Sequence, residues 1–167
     1  MCNNIILQNS SGAFLKNGTK YLLMKRSPNR NIAPNLWSCI GGHMEKDELN
    51  NPLEACFREI QEETGIKREN IFNIKLRYLV IRQYNNIIRQ NYVYFGDTDI
   101  MEYINTEEGT LHWVNEEDLL TKEYTKTYTE MVKHYLKNKN YEKIIVGVAG
   151  KELNGLKMNW SILDDFE

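Results

Sequence analysis

The segment Arg58-Glu59-Ile60-Gln61-Glu62-Glu63-Thr64-Gly65-Ile66 carries three glutamates at helical spacing. Each residue of an α-helix turns by about 100°, so positions i, i+3 and i+4 share one face. Glu59, Glu62 and Glu63 would therefore repel one another unless a cation offset their charge. Mg²⁺ prefers carboxylate oxygens and bridges to substrate phosphates. Taken alone, such a run is more often a solvated acidic face than a metal site, so the surrounding sequence must decide.

This segment closes a helix that the sequence predicts over Pro52–Thr64. Asn51 can cap the helix, Pro52 suits its first position, and Glu54 stands where the acid of a capping box belongs. Gly65 follows as a typical C-terminal stop. Apolar residues recur at helical spacing and predict a core-facing stripe, formed by Leu53, Cys56, Phe57 and Ile60.

Strands are predicted on both sides of this helix, from short apolar runs bounded by turn residues. The runs cover residues 4–7, 21–24, 36–40, 74–83, 88–96, 111–114, 143–149 and 156–162. Turns are expected at Asn85-Asn86 and at Asn154-Gly155. We also expect a surface loop at 27–35, a short helix at 116–120 capped by Asn115, and a long helix at 124–139. The long helix would present Tyr128, Met131, Val132 and Tyr135 on one face.

Glycines and a fourth acid precede the helix in a specific order. Gly41-Gly42 lies upstream, and Glu48 follows Gly42 after five residues. The whole arrangement resembles the Nudix box, G-x5-E-x7-R-E-U-x-E-E-x-G-U, in which U is a bulky aliphatic residue. The matching residues are Gly42, Glu48, Arg58, Glu59, Ile60, Glu62, Glu63, Gly65 and Ile66. One departure is that residues 49–57 number nine where the pattern has seven, which leaves the placement of Glu48 open.

The resemblance implies a fold of the α/β class, with a mixed β-sheet sandwiched between α-helices. It implies a single Nudix hydrolase domain over residues 1–167, with the box at 42–66. By resemblance, the divalent metal, Mg²⁺ or Mn²⁺, would bind Glu59, Glu62, Glu63 and the backbone carbonyl of Gly42. The resemblance also implies catalytic roles for Glu59, Arg58 and Glu48, with Arg58 orienting the glutamates through salt bridges. The implied reaction is attack by an activated water on a phosphorus of a nucleoside diphosphate linked to another group.

The general base and the substrate contacts vary across this family. The base would be Glu59 itself or an acid of a later loop, Glu107 or Glu108, although surface charges of this kind are more often solvated. Arg26 follows a predicted strand and suits a phosphate. Asn35 and Trp37 would contact the nucleotide base, with Tyr92 and Tyr94 as further stacking residues. His43 is expected to be a loop hydrogen-bonding residue and Cys39 a small apolar filler.

Residues 22–26, 36–38 and 41–45 resemble the MutT-type branch of the family. That branch includes nucleoside triphosphate pyrophosphohydrolases, some acting on oxidised purine nucleotides. Nucleotide sugars and dinucleoside polyphosphates are alternative substrates. Two other classes stay open: a non-catalytic nucleotide sensor with the same fold, and an isopentenyl-diphosphate isomerase, for which Cys39 lies near the right region.

Composition limits the partners. The chain has 21 Lys and Arg against 23 Asp and Glu, a net charge of −2, which does not favour binding to nucleic-acid polymers or membrane surfaces. Three scattered cysteines, Cys2, Cys39 and Cys56, indicate reduced thiols rather than disulfides. We therefore expect a cytoplasmic protein without a signal peptide that binds a small nucleotide and forms a monomer or homodimer.

Overall fold

The computed structural model describes residues 4–153 and 155–165. The strands are β1 (Ile6–Asn17), β2 (Lys20–Arg26), β3 (Trp37–Ser38), β4 (Ile40–His43), β5 (Ile71–Tyr84), β6 (Ile87–Thr98), β7 (Gly109–Asn115), β8 (Ile144–Glu152) and β9 (Gly155–Leu163). The α-helices are α1 (Pro52–Thr64) and α2 (Lys126–Lys137). Three short 3₁₀ helices lie at Lys46–Glu48, Arg68–Asn70 and Glu116–Thr121.

Within the described residues, nine strands form one mixed sheet. The main path runs β3-β2-β1-β6-β5-β8-β9, while β4 pairs with β1 and β7 pairs with β2. The pairs β1–β6 and β5–β8 are parallel, and the other pairs are antiparallel. This agrees with the predicted α/β class and its mixed sheet.

Each face of the sheet carries one helix and one apolar core. On one face, Ile60 and Phe57 of α1 pack with residues of β1, β2 and β4. On the other face, Met131, Val132 and Tyr135 of α2 pack with Phe14, Tyr78 and Phe95. The sheet is therefore sandwiched between the two helices, as the predicted fold requires.

Helix α1 has the bounds that the sequence predicts, and Gly65 ends it in the left-handed conformation, with φ of 76°. The predicted capping box is wrong, because the Asn51 side chain makes no cap hydrogen bond. Glu54 instead forms an ion pair with Arg68, at 2.7 Å. The buried hydroxyl of Ser11 donates to the carbonyl of Pro52 at 2.5 Å, so the helix start is tied to β1 rather than to its own cap.

Other elements differ from the predictions mainly in length. Strand β1 extends far beyond residues 4–7, because its polar and small middle pairs with β6 and β4, which buries Ser11 and Gly12. Helix α2 is shorter than 124–139, and the predicted helix after Asn115 is a 3₁₀ helix without a side-chain cap. The turn at 85–86 is confirmed, with Asn85 at φ of 54°, whereas Asn154 lies outside the described residues. No helix among the residues described has the length and apolar character needed to cross a membrane.

Candidate active site

The guanidinium of Arg58 joins the loop before α1 to the helix itself. Its Nε and Nη2 donate to the two carboxylate oxygens of Glu48 at 2.7 and 2.9 Å, in the bidentate geometry that suits arginine. Nη2 also donates to the carbonyl of His43 at 3.1 Å. The two hydrogen bonds from Arg58 to Glu48 lower the pKa of this carboxyl group to about 2, and a hydrogen bond from the backbone N–H of Glu45 assists them. The two extra residues before Pro52 therefore leave Glu48 within reach of the helix.

The same guanidinium also contacts the first two acids of the cluster. Nη1 of Arg58 donates to Glu59 Oε1 at 2.9 Å and to Glu62 Oε2 at 3.0 Å. The third acid, Glu63, accepts the backbone N–H of Gly41 at 2.8 Å. Glu59 and Glu63 are buried, whereas the Glu62 side chain is 58% exposed. Each carboxylate thus uses one oxygen in these contacts and keeps a second for another ligand.

Two glycines of β4 make room for this arrangement. A Cβ at Gly42 would lie 2.5 Å from Glu59 Oε2 and 2.7 Å from its carboxylate carbon. A Cβ at Gly41 would overlap the backbone of Ser11 and Gly12 on β1. The Gly-Gly pair therefore lets β4 approach both β1 and the acids of α1 more closely than side chains would allow.

Burial makes the two inner acids unfavourable as isolated anions. Burial is the largest cause that raises the pKa of Glu63, to about 8. The negative charges of Glu59 and Glu108 raise this pKa as well. The hydrogen bond from Gly41 opposes that rise. Burial likewise raises the pKa of Glu59, although Arg58 lowers it. The site therefore concentrates negative charge that a bound cation would stabilise.

The donor set fits a hard divalent cation, but these side chains do not converge on one point. Among residues 4–153 and 155–165, no three carboxylate, histidine or cysteine side chains lie close enough to share an ion. Arg58 holds Glu59 and Glu62, while Glu63 turns towards Gly41. The oxygen chemistry suits Mg²⁺ or Mn²⁺, and the exposed Glu62 has the freedom to rotate towards such an ion.

Glu59 and Glu62 stand at one wall of a pocket of about 750 Å³, a volume typical of small-molecule sites, whereas Glu48 and Glu63 do not line it. Arg26 and Trp37 line it, as does Tyr92. The Nε of Arg26 donates to the carbonyl of Ile32 at 3.0 Å, which fixes the arginine at the end of β2. The indole of Trp37 packs against His112, with ring centroids 5.2 Å apart. The pocket thus combines acidic, basic and aromatic groups.

Other predicted site residues lie elsewhere. Asn35 is exposed, has a φ of 63° and does not line the pocket, because it forms a tight turn whose N–H donates to the carbonyl of Arg26. Tyr94 is buried in the core beneath α1. Cys39 is a buried filler, as predicted: burial raises the pKa of its thiol to about 12, and it contacts Tyr128 Oη at 3.5 Å. His43 lines the pocket at the end of β4.

The structure distinguishes the two acids before β7. Glu108 lines the pocket and pairs with Arg30 at 3.1 Å, whereas Glu107 is exposed and outside it. Two arginines that the sequence did not single out, Arg82 and Arg89, also line the pocket. The sequence could have indicated this pair through the strand register, because a hairpin turn at 85–86 places Arg82 opposite Arg89.

Comparison with known proteins identifies the family. Residues 7–135 match the family model of the NUDIX domain. The chain belongs to the Nudix family. A stretch of 52 residues, 31% of this chain, is 48% identical to the m7GpppN-mRNA hydrolase NUDT17 of Xenopus laevis. That stretch covers only 17% of the length of NUDT17, so the likeness is local.

Solved Nudix structures share the fold at low identity. The MutT protein of Bacillus halodurans superposes with a TM-score of 0.72 and 20% identity, over 92% of this chain and 97% of that protein. An Ap4A hydrolase of C. elegans gives a TM-score of 0.62 at 14% identity, over 80% of this chain and 98% of that protein. The Nudix domain of Shewanella oneidensis NrtR, solved with ADP ribose, superposes with a TM-score of 0.62 at 14% identity. The match covers 81% of this chain and 88% of that domain.

Proposed function

We propose that this Nudix hydrolase cleaves a diphosphate bond in a nucleoside diphosphate-linked substrate by attack of water on phosphorus. The observation that carries the proposal is the Arg58 network. One guanidinium holds Glu48, Glu59 and Glu62, and two of these acids, Glu59 and Glu62, line a nucleotide-sized pocket. A non-catalytic sensor would have no need to retain the whole set of acids.

Glu59, Glu62 and Glu63, with the carbonyl of Gly42, would hold Mg²⁺ or Mn²⁺. When bound, the metal would neutralise phosphate charge and lower the pKa of a water molecule. Glu48 and Arg58 act as positioning residues, since Arg58 contacts Glu59, Glu62 and the backbone of His43, while Glu48 holds Arg58 without lining the pocket. Holding the carboxylates in place before substrate arrives lowers the cost of assembling the site.

A carboxylate of the pocket wall must accept the proton of the attacking water. Glu59 and Glu108 are both placed for this, whereas Glu107 is not. We assign the role to Glu108, because Glu59 already contacts Arg58 and is a proposed metal ligand. In the reaction a P–O bond forms to the water oxygen, the bridging P–O bond breaks, and the water proton passes to the carboxylate.

The substrate we propose is a nucleoside triphosphate, cleaved as in MutT-type enzymes, with oxidised purine nucleotides as one group. Arg26 would contact a phosphate, and the aromatic rings of Trp37 and Tyr92 would offer stacking surfaces for the base. The fold of the MutT protein supports this assignment. Asn35 has no part in it, because it lies outside the pocket.

A capped nucleotide is the second candidate substrate. The local identity to an m7GpppN-mRNA hydrolase favours it, as the fold of an Ap4A hydrolase favours dinucleoside polyphosphates. Nucleotide sugars form a third class. All of these contain the same diphosphate linkage, so the site chemistry is common to them.

The remaining expectations concern the whole chain. We propose a single domain, because β8 pairs with β5 and so extends the sheet beyond residues 7–135 of the family match. The buried cysteines Cys39 and Cys56 are both unpaired thiols and support a cytoplasmic setting.

A substrate panel tests the proposal. Purified protein with Mg²⁺ is incubated with nucleoside triphosphates, oxidised purine triphosphates, nucleotide sugars, Ap4A and a cap dinucleotide, and products are separated by chromatography. We expect the highest kcat/KM for a triphosphate, with release of monophosphate and pyrophosphate. Turnover of none of these compounds by folded protein would refute the hydrolase proposal.

A further inference from the structure

Two arginines face each other across the β5–β6 hairpin. Arg82 of β5 is the register partner of Arg89 of β6, and Gln8 of β1 is the partner of Arg89 on its other side. Side chains of directly opposed residues point to the same face of a sheet. All three side chains line the pocket, which places two positive charges side by side there.

These arginines lack the acceptors that arginines normally find inside proteins. The Nε atoms of Arg82 and Arg89 are buried and have no hydrogen-bond partner among the described residues, and neither has Gln8 Oε1. Among residues 4–153 and 155–165, no acid forms an ion pair with Arg82 or Arg89. Burial and the neighbouring Arg89 lower the pKa of Arg82, which reflects an uncompensated charge.

A purely structural role does not explain this pair. Arg77, on the same strand, shows what a structural arginine does here: it donates to the carbonyls of Asn138 and Lys139 and lies over the Tyr135 ring. The Nε of Arg77 is also buried without a partner, but both of its terminal nitrogens have acceptors. No hydrogen bond or ion pair among the described residues involves the guanidinium of Arg82 or Arg89. Like charges opposed across two strands destabilise a sheet, so an anion between them would offset that cost.

We propose that Arg82 and Arg89 form a phosphate-binding subsite that holds a phosphoryl group of the substrate other than the one held at the glutamates. The inference rests on the proposed function and deepens it. Planar guanidinium groups match phosphate oxygens through paired N–H donors. Gln8 lies opposite Arg89, and its amide nitrogen, not its Oε1, would be the further donor to the phosphate. The subsite favours substrates with phosphates on both sides of the cleaved bond over those that carry a neutral group there.

Metal-free binding of inorganic pyrophosphate tests the subsite. Isothermal titration calorimetry in EDTA compares the wild type with Arg82→Gln and Arg89→Gln. The matched control is Lys75→Gln, which removes one positive charge from the exposed end of the same strand. We expect each arginine variant to weaken pyrophosphate binding on the order of tenfold or more, and the control to bind like the wild type.

Wild-type affinity in both arginine variants would overturn the subsite, as would an equal loss in Lys75→Gln. If a glutamine variant unfolds, Arg82→Lys and Arg89→Lys decide instead: weakened but retained binding supports the subsite, and unchanged affinity refutes it. The assay needs neither metal nor turnover. Lost pyrophosphate binding therefore supports the subsite even if no nucleotide is hydrolysed, while hydrolysis with unchanged binding refutes the subsite alone.

Discussion

The carboxylate of Glu59 lies directly against the Cα of Gly42, so that a Cβ at position 42 would be 2.5 Å from Glu59 Oε2. Gly42→Ala would therefore displace this acid. We expect a lower kcat and a loss of roughly 1 to 3 kcal/mol in the free energy of unfolding, as for overpacking. Steady-state kinetics and urea unfolding measure the two effects.

Gly150→Ala is the matched control for that change. A Cβ there would be 3.5 Å from its nearest neighbour, so it should leave both quantities nearly unchanged. A Gly42→Ala protein with the activity and stability of the wild type would show that Glu59 does not need its present position.

The Glu48–Arg58 pair predicts a pH-dependent contribution to stability. Arg58 lowers the pKa of Glu48 to about 2 from a usual value near 4.5, so the folded state favours the ionised form. The stabilisation is present above pH 4.5 and lost as pH falls towards 2. We expect Glu48→Gln to be less stable than the wild type by about 1 kcal/mol at pH 6, and equally stable at pH 2.

Urea unfolding of both proteins at several pH values checks this. The opposite result is a difference between wild type and Glu48→Gln that stays constant from pH 6 to pH 2, which would mean that the ionised pair does not stabilise the fold.

Neighbouring acids before β7 provide an internal comparison for the general base. Glu108 lines the pocket and Glu107 does not. We expect Glu108→Gln to lower kcat roughly 100-fold or more, because a positioned base contributes at least that much. Glu107→Gln should behave like the wild type. Arg30→Gln separates loss of the base from loss of its ion pair, since it keeps the Glu108 carboxylate.

Equal kcat values for Glu107→Gln and Glu108→Gln would exclude Glu108 as the base and return that role to Glu59. An Arg30→Gln protein as slow as Glu108→Gln would assign the effect to the ion pair instead.

The thiol of Cys39 has no chemical role in this account. It is buried, and its pKa is raised to about 12. Cys39→Ala should keep its nucleotide hydrolase activity while losing roughly 1 kcal/mol of stability through a small cavity. An inactive but folded Cys39→Ala protein, shown by circular dichroism, would instead favour thiol chemistry of the isomerase class.

Helix α1 and its acids could be predicted because local signals decide them. Apolar spacing, Pro52 and Gly65 fix the helix bounds, and the spacing of the glutamates follows. The predicted Asn51 cap was wrong, and the start of the helix is instead held by a tertiary contact in which the Ser11 hydroxyl donates to the carbonyl of Pro52. Such contacts depend on how β1 lies beside the helix.

The rest of the pocket depends on strand register and could not be predicted from local patterns. Arg82 and Arg89 meet only because the hairpin pairs them, and Gln8 joins them through a parallel pair between distant strands. The length of strand β1 was underestimated, because the residues in its middle are polar or small. Ser11 and Gly12 are nevertheless buried by strand pairing on both sides. Glu107 and Glu108 lie in the turn between the bridged residues Thr106 and Gly109, and this turn places Glu108 rather than Glu107 at the pocket.

The central claim is that the carboxylates of α1 hold a divalent metal for hydrolysis. The most direct measurement is kcat for the best substrate with Mg²⁺ and with EDTA, in wild type, Glu62→Gln, Glu63→Gln and the exposed control Gln61→Ala. We predict activity only with Mg²⁺, a decrease on the order of 100-fold or more in both glutamate variants, and a wild-type rate for Gln61→Ala. Full activity in EDTA, or wild-type kcat in folded Glu62→Gln and Glu63→Gln, would contradict the claim.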